Sequence, residues 1–588
     1  MMRSFLLTVA VGAVVAFAAP ASASVTGFGD RDLPTVEWGL TVGGQDSPAD
    51  QVDGVAINSN GDVVITGVFF GQVTIGQTTF TSRGQGDIFL ASISPEGQVL
   101  WARQFGGPGD DNAFDLAADG QGDVVASGWF SNTVDFGGTS LTSAGSQDMF
   151  VAKYRSEGTL AWARSFGGTG GDGGNELSVL DNGEIAVSGI SAGPFKAGGE
   201  TFAYGGGSRD AYVLRLGSDG TVRWIKAFNG PGSERIRAMA MNASGEVFVG
   251  FQYRGLVSLD GRTVVSAGGW DGALAKLDPD GRGDWLLGAG GTGTDNVRGA
   301  APGPDGSVYA SGTFSGSAVV FGEPLEDQGR GDDYLIRVSA AGQPEWTVTL
   351  GGPGTGNGGE IRSEAGGVVM SSLIEGALTI TNGSRTWPLL PPGLATTTHL
   401  TAFSPSGTPR YTFMPEPATG SAGASGGALA VSPDGSSIAT ALRFRGQMLI
   451  GDQLLTTTPT GNSAVAFLKM PEPQSARVAF GRFRPKPFSI RAGRSQKLRI
   501  TVRSTGSLAA DRVRVCLKSS VRKVRKRAIR LPGCRRLGRL PAGSTKTVSL
   551  RIRIRRNTTP GRIRLQARLR SDNASNRTTR FALRIRRD

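Results

Sequence analysis

The chain has very few of the residues that most often build catalytic and metal centres. His399 is its only histidine, and Cys516 and Cys534 are its only cysteines. A single histidine excludes a histidine-based metal cluster and argues against a Ser–His–Asp triad. We therefore expect no catalytic residues, no bound metal and no cofactor, and His399 is interpreted as a strand residue that fills space.

Long apolar runs are also scarce. The one clear run is Phe5 to Ala19, which follows the basic Arg3 and precedes the small residues Ala21-Ser22-Ala23. This pattern predicts a signal peptide over residues 1–23, with an uncleaved anchor as the alternative. No later stretch reaches the roughly 18 apolar residues of a membrane span. We expect a secreted, extracellular protein with no transmembrane segment after signal removal, either free or associated with the cell surface.

Acidic residues are scarce in the last fifth of the chain, whereas they outnumber basic residues before it. From Glu472 onward there are 35 basic and 4 acidic residues, whereas the preceding part has 27 basic and 45 acidic residues. An acidic body therefore precedes a strongly basic tail. Such an asymmetry predicts a domain boundary near this point.

What the sequence does contain is a long internal repeat. Tryptophan returns at steps of 63, 61, 62, 61 and 61 residues, and Tyr411 follows the last one at a step of 65. A period this regular indicates one supersecondary unit copied seven times. The six tryptophans on this register are Trp38, Trp101, Trp162, Trp224, Trp285 and Trp346.

Each unit reads as four short β-strands separated by tight turns. Turn triplets such as Ser59-Asn60-Gly61 and Pro95-Glu96-Gly97 recur between runs of β-forming residues. Four antiparallel strands copied seven times predict an all-β, seven-bladed β-propeller over residues 35–470, with a solenoid as the alternative. The unpartnered first strand, Thr35 to Val42, would pair with the last strand, Ala464 to Leu468, and close the ring. The register tryptophans would then pack between neighbouring blades.

The units resemble the SBBP-type β-propeller repeat. The shared features are Gly-Gly-x-Gly-Asp-Asp-Asn at 106–112, Gly-Asp-Val-Val-Ala-Ser-Gly at 122–128 and an aspartate that starts a strand, as at Asp87, Asp148 and Asp210. The sixth and seventh units carry Thr397 and Asn462 at that aspartate position. The resemblance implies a secreted or surface-associated structural or binding protein, and it implies little about activity.

Residues 476–588 predict a separate basic β-sandwich. Segments such as Val548-Ser-Leu-Arg-Ile-Arg-Ile-Arg alternate apolar and basic residues, which places one face in a core and the other in water. The stretch from Val502 to Val515 and Leu540-Pro-Ala-Gly-Ser resemble CARDB-like immunoglobulin-type domains. Because Cys516 and Cys534 both lie here in an exported chain, we expect a disulfide, with two free thiols as the alternative.

Two sets of charged residues are candidate binding sites. The densest basic run would bind an anionic partner and consists of Arg522, Lys523, Arg525, Lys526 and Arg527. Acidic residues also recur after each tryptophan strand and could form an acidic ring for a cation or polar ligand: Asp50, Asp111, Asp172, Glu234 and Asp295. The alternative for the acidic set is a turn cap copied with the repeat.

The best functional hypothesis is a non-catalytic binding or scaffold protein of the bacterial surface. The propeller face would bind a glycan or protein, and the basic domain would dock on an anionic cell-envelope polymer. Nucleic acid is not expected, because no groove-reading or stacking motif is present. The alternatives are an extracellular carbohydrate-active enzyme, hydrolase or lyase, with two convergent carboxylates in a deep central pocket, and a self-associating structural protein.

Overall fold

The computed structural model is an all-β chain made of antiparallel sheets. It describes residues 25–28, 33–44, 50–364, 366–389, 396–417, 422–457, 462–470, 478–484, 489–504, 510–519, 529–540, 544–556, 561–570 and 577–586. Within these ranges the only helical element is a 3₁₀ turn at Pro304–Gly306, and no helix is long and apolar enough to cross a membrane. The predicted signal peptide lies outside the described residues.

The chain divides into two compact units, Met1–Met470 and Pro471–Asp588. Among the residues that the structure describes, the first unit contains seven main sheets, numbered here in chain order and written from first to fourth strand. They are sheet 1, Gln51–Ile57, Val63–Ile75, Thr78–Ile93 and Val99–Phe105; sheet 2, Asn112–Ala118, Val124–Phe130, Asp148–Tyr154 and Leu160–Phe166; sheet 3, Asp172–Val179, Ile185–Ser191, Asp210–Leu216 and Val222–Phe228; sheet 4, Ser233–Met241, Val247–Arg254, Asp271–Leu277 and Gly283–Gly291; sheet 5, Gly299–Pro302, Val308–Phe314, Asp332–Val338 and Pro344–Gly351; sheet 6, Glu360–Glu364, Gly367–Ile374, Thr397–Phe403 and Pro409–Phe413; and sheet 7, Ala422–Val431, Ser437–Arg445, Asn462–Lys469 and Thr35–Val42.

Each repeat contains more than the four strands that the sequence predicts, because a short hairpin stands between its second and third strands. In sheet 1 those two strands themselves extend into the hairpin. The other hairpins are Thr133–Asp135 with Ser140–Thr142, Phe195–Ala197 with Glu200–Phe202, Leu256–Leu259 with Arg262–Val265, Ser317–Val320 with Glu323–Glu326, Leu378–Asn382 with Arg385–Leu389, and Gln447–Ile450 with Gln453–Thr456. Glu416–Pro417 pairs with Gln447–Ile450, and Val25–Gly27 pairs with Pro409–Phe413. These strands are short and glycine-rich at their turns, so their hydrophobic period is too brief to stand out in the sequence.

The N-terminal strand pairs with the last strand of the repeat array, as predicted. Thr35–Val42 runs antiparallel to Asn462–Lys469, with Trp38 opposite Phe467. The first strands of consecutive sheets contact one another from sheet 1 to sheet 7, and the first strand of sheet 7 also contacts that of sheet 1. These contacts follow a cyclic order.

The register tryptophans join six of the seven pairs of consecutive sheets, and Tyr411 takes the tryptophan's position on sheet 6. The Trp38 indole N–H donates to the carbonyl oxygen of Pro95 at 2.9 Å, and Trp101 donates to Ser156 at 2.9 Å. The same bond recurs from Trp162 to Ser218, Trp224 to Pro279, Trp285 to Ala340 and Trp346 to Pro405, at 2.9–3.1 Å. Every acceptor lies in the turn between the third and fourth strands of the following sheet, so the tryptophan lies between neighbouring sheets as the sequence predicts.

A glycine in each of these turns makes room for the indole. Gly281 has φ +80°, and a Cβ atom built on it would lie 2.8 Å from Cδ2 of Trp224. Gly158 faces Trp101 in the same way, with φ +82° and a distance of 2.7 Å. The turn glycine therefore meets two requirements at once, a left-handed backbone and a close approach to the ring.

Apolar cores lie between neighbouring sheets. One cluster combines Ile57, Val63 and Phe89 of sheet 1 with Val465 and Phe467 of sheet 7. Another joins Ile88 and Leu90 of sheet 1 to side chains of sheet 2. Since each sheet buries both faces, its central strands are almost continuously apolar rather than alternating.

The described segments of the second unit form two sheets that share one core. The first sheet contains Val478–Arg484, Ser495–Ser504, Thr545–Ile554 and Ile529–Arg530; the second contains Ser489–Arg491, Arg577–Arg586, Gly561–Arg570, Ala510–Ser519 and Arg535–Leu540. Leu498, Ile500 and Leu550 of the first sheet pack with Leu565 and Ile585 of the second. The alternation of apolar and basic residues thus puts the apolar residues into the core, as predicted.

The turn glycines allow a direct test of the tryptophan contact. We expect Gly281→Ala to destabilise the first unit by about 1–3 kcal/mol more than Gly261→Ala, because only the former methyl overlaps an indole ring. Gly261 also has φ +80°, but no atom lies within 4 Å of the place that its added methyl would take, so it controls for backbone strain. Denaturant unfolding of the full chain measures both, and equal losses would contradict the packing role.

Candidate functional site

The five acidic residues predicted to form a ring are all buried. Each lies at or just before the first strand of sheets 1 to 5, and none is more than 2 % exposed. They occupy equivalent places in separate repeats. They are Asp50, Asp111, Asp172, Glu234 and Asp295.

Most of these carboxylates accept hydrogen bonds from backbone amides of nearby loops. Asp111 accepts from the amides of Gly107 at 2.9 Å and Ser131 at 3.0 Å. Asp295 accepts in the same way from Gly291 and Ser315. Such bonds are those of the turn-cap alternative. Among the described residues, no group of three or more His, Cys, Asp or Glu side chains could hold a metal ion, so cation binding at these residues stays a prediction.

Four of these acids face the repeated aspartate of the third strand, which begins that strand in sheets 2 to 4 and lies within it in sheet 1. The pairs are Asp87 with Asp111, Asp148 with Asp172, Asp210 with Glu234, and Asp271 with Asp295. Burial, and then the charge of Asp210, raise the pKa of Glu234 to about 8. With this raised pKa, the Asp210–Glu234 pair retains a proton near neutral pH. In the seventh repeat Asn462 occupies the strand-start position, where an amide replaces the carboxyl.

The Asp210–Glu234 pair predicts a specific pH dependence of stability. The pKa of Glu234 is higher in the folded chain than its usual 4.5. The protonated side chain therefore contributes to the free energy of unfolding at acid pH, and this contribution is lost as the pH rises through about 8. We expect Glu234→Gln, which cannot ionise, to flatten the decline in melting temperature between pH 5 and 8 and to be the more stable protein at pH 9. The exposed Glu323→Gln is the control. A decline as steep in Glu234→Gln as in the wild type would rule out a shared proton.

The remaining predicted residues divide between the described and undescribed parts of the chain. Cys516 and Cys534 form the predicted disulfide, with their Cα atoms 4.1 Å apart. The basic run Arg522, Lys523, Arg525, Lys526 and Arg527 lies outside the described residues.

His399 lies on the third strand of sheet 6 and is fully buried, and its Nδ1 is 2.8 Å from Oγ1 of Thr401. Burial lowers the pKa of His399 to about 4, so the ring is neutral.

A different group of residues is brought together by irregularities in the first strands. The pairing between first and second strands shifts register around Asp53 in sheet 1, Phe114 in sheet 2, Asn175 and Glu176 in sheet 3, and Arg237 in sheet 4. A β-bulge leaves the extra residue unpaired and redirects its side chain. All of these residues line one cavity.

This cavity has a volume of about 380 Å³ and a largely polar wall. Residues from all seven repeats contribute to it. The charged residues of the wall are Asp53, Asp115, Glu176, Glu360, Arg237, Arg298 and Arg443, and its other residues include Phe114, Asn175, Asn357, Ser371, Ser372 and Gly427.

Three of the carboxyl groups surround one guanidinium group. Arg362 forms an ion pair with Glu360, and its charge also acts on Asp115 and Glu176. Burial raises the pKa of Glu176 well above its usual range, and the nearby charges of Asp115 and Glu360 raise it further. Burial likewise raises the pKa of Glu360 to about 7. Asp115 accepts hydrogen bonds from the amides of Leu116 at 2.7 Å and Leu177 at 2.8 Å.

Two further guanidinium groups form a cationic part of the cavity wall. Burial lowers the pKa of Arg237, and the neighbouring charge of Arg298 lowers it further. Arg298 donates to the backbone oxygen of Asn357 at 2.9 Å and to its Oδ1 at 3.0 Å. Since two like charges are held together in a partly buried place, this part of the wall favours an anionic group on a ligand.

The sequence contains a signal for this cavity that its regular repeats obscure. Asp53, Phe114, Asn175, Arg237, Arg298 and Glu360 follow one another at steps of 61 or 62 residues, yet their chemistry differs in almost every unit. Copying of the repeat explains why one type of residue recurs at a constant step, as in the predicted acidic ring. It does not explain a register position where charged residues of both signs replace one another.

Comparisons with known proteins are weak. No known family model matches the chain. A segment of 143 residues is 29 % identical to part of the regulatory protein FlaEY of Caulobacter vibrioides. The matched segment covers 24 % of this chain and only 15 % of the length of FlaEY. An extracellular domain assigned to a one component system of B. thetaiotaomicron is similar over 91 % of this chain and 81 % of that domain, at 9 % identity and a TM-score of 0.20. The rhamnogalacturonan lyase YesW is similar over 64 % of this chain and 91 % of that enzyme, at 10 % identity and a TM-score of 0.21. Scores this low carry no argument about this protein.

Proposed function

We propose that this chain is a secreted, non-catalytic binding protein built on a closed, seven-bladed β-propeller of the SBBP type. The cyclic contacts of the first strands and the pairing of Thr35–Val42 with Asn462–Lys469 support closure of the ring. The disulfide between Cys516 and Cys534 supports an oxidising, extracellular location. The signal peptide predicted over residues 1–23 supports the same location.

The central cavity is the proposed binding site, and its ligand is an acidic sugar at the end of a glycan. The observation that carries this proposal is the group of charged residues that differ from repeat to repeat around one cavity. Arg237 and Arg298 would bind the ligand carboxylate, whereas the carboxyl and amide groups opposite them would bind its hydroxyls. At about 380 Å³ the cavity is near the lower end of the size range of small-molecule sites.

Binding is favoured over catalysis because two of the cavity carboxyls already have partners within the protein. Glu360 is paired with Arg362, and Asp115 accepts two backbone N–H groups. A carboxylate held in this way is poorly available as a general base or nucleophile. The cavity therefore presents hydrogen-bonding groups of fixed position rather than a free catalytic pair.

A carbohydrate-active enzyme is the second candidate. The specific observation in its favour is that Asp53 and Glu360 line the central cavity and that burial raises the pKa of each to about 7. Carboxyl groups that titrate near neutral pH can act as acids or bases. Under this alternative, Asp53 and Glu360 would be the first residues to replace.

The second unit is proposed to dock the protein on an anionic polymer of the cell envelope. Its described strands carry many exposed arginines, and the predicted run from Arg522 to Arg527 adds to them in sequence. This unit resembles a CARDB-like, immunoglobulin-type domain in its sequence pattern. Docking would hold the propeller near the glycans of the same surface.

Calorimetric titration of the full chain with galacturonate, glucuronate, galactose and glucose tests the cavity proposal. We expect a sugar acid to bind and its neutral parent to bind at least about tenfold more weakly, because a charged hydrogen bond contributes roughly 1.5–3 kcal/mol. The double variant Arg237→Gln, Arg298→Gln should lose that preference. The exposed pair Arg223→Gln, Arg262→Gln removes the same charge elsewhere and should retain it.

Two outcomes would contradict the proposed function. Equal affinity for acidic and neutral sugars, or an equal loss in both double variants, would remove the cavity as the site. Release of new reducing ends from an acidic oligosaccharide, abolished by Asp53→Asn or Glu360→Gln, would establish the enzyme instead.

A further inference from the structure

The geometry points to a binding surface for a linear anionic polysaccharide on the outer face of one sheet of the second unit. The face is formed by Ser495–Ser504, Thr545–Ile554 and Ile529–Arg530, and is called the basic face below. This inference rests on the proposed docking to the cell envelope, and it assigns the surface and the chemical class of the partner. It does not depend on the basic run from Arg522 to Arg527.

Strand alternation divides the residues of this sheet cleanly. Leu498, Ile500 and Val502 are buried in the core of the unit. The alternate residues Lys497, Arg499 and Arg503 are exposed on the other side. The neighbouring strand repeats the pattern, because Leu550, Ile552 and Ile554 are buried and Arg551 and Arg553 are exposed.

The register places like charges next to one another. Lys497 lies directly opposite Arg551, and Arg530 lies directly opposite Arg553. Like charges in direct cross-strand positions are destabilising. The four strands of this sheet contain no Asp or Glu, and no ion pair to these basic residues is present among the residues that the structure describes. The sheet therefore retains a repulsion that an external anion would relieve.

The pattern of charges fits a polymer better than a single ion. Basic residues two apart on a strand are separated by about 7 Å, and neighbouring strands by about 4.8 Å, so the charges form rows. Hydroxyl groups of Thr501, Thr547 and Ser549 lie on the same face. Guanidinium and hydroxyl groups together suit carboxylates and sugar hydroxyls.

The same face lacks the groups that other polyanionic partners need. Where the structure describes side chains of this face, the exposed positions hold only basic, Ser and Thr residues, with no aromatic ring on which a nucleic-acid base would stack. No exposed large hydrophobic residue is found in the described part of this unit, so nothing there would insert into a membrane. A charged polysaccharide is therefore the partner that this chemistry favours.

Binding of the full chain to polygalacturonate across a salt series tests the inference. The triple variant Arg499→Gln, Arg551→Gln, Arg553→Gln removes three charges from the basic face. The matched control, Arg491→Gln, Arg584→Gln, Arg586→Gln, removes three exposed charges from the other sheet. We expect the first variant to lose about tenfold or more in affinity and to show a weaker salt dependence, because it makes fewer ionic contacts. The control should change by about twofold or less.

Each other outcome has a definite meaning. Equal losses of affinity in both variants would overturn the basic face as the binding surface, because the overall charge of the protein would then explain the binding. Tighter binding to single-stranded DNA of equal charge than to polygalacturonate would overturn the choice of partner. No binding of the wild type at low salt would overturn docking itself. In a chain that also carries Arg237→Gln and Arg298→Gln, which removes any binding of polymer ends in the cavity, the triple variant should lose the same factor in affinity, so failure of the cavity proposal is distinguishable from failure of this one.

Discussion

The contact on which the rest of the first unit depends is the tryptophan bond between consecutive sheets. An indole ring on the fourth strand of one sheet packs on a turn glycine of the next sheet and donates to a carbonyl in the same turn. The bond needs an N–H donor on a large flat ring and a residue without a side chain beneath it. Both requirements fall at constant positions of the repeat, so copying the repeat copies the interface. Trp38 makes this bond from sheet 7 to sheet 1.

Copying of the repeat also distinguishes the periodic acids from the cavity residues. The periodic acids remain acidic in each of their repeats and most accept equivalent hydrogen bonds, whereas the residue type changes from repeat to repeat at the cavity positions. Asp111 and Asp295 accept from equivalent loop amides in different repeats, which is the behaviour of a structural element. Asp53, Arg237 and Glu360 occupy the place where the first strands approach one another, and each repeat contributes different chemistry. A repeat protein can vary these inner positions without loss of the interfaces, because the tryptophan contacts lie at the other edge of each sheet.

Much of the fold follows from the sequence, and much of the candidate site does not. The step of the tryptophans predicts the repeat, and the unpartnered strand at Thr35 predicts its own pairing with the last strand. The Cys516–Cys534 disulfide follows from the residue count and the predicted export. The extra hairpins escape prediction because their strands are only a few residues long. The cavity escapes it because β-bulges place Asp53, Glu176 and Arg237, and the regular step between cavity positions does not show which position of the repeat carries the register shift.

Amide hydrogen exchange of the full chain tests most directly whether one copied contact closes the seven sheets into a ring. Thr35–Val42 and Leu160–Phe166 are both fourth strands. The first lies where the beginning and the end of the repeat array pair, and the second lies inside the array. In a closed ring the two strands have equivalent neighbours, and we predict similar protection for their hydrogen-bonded amides. Much faster exchange of Thr35–Val42 together with Asn462–Lys469, while Leu160–Phe166 stays protected, would show an open array with frayed ends and would contradict the account.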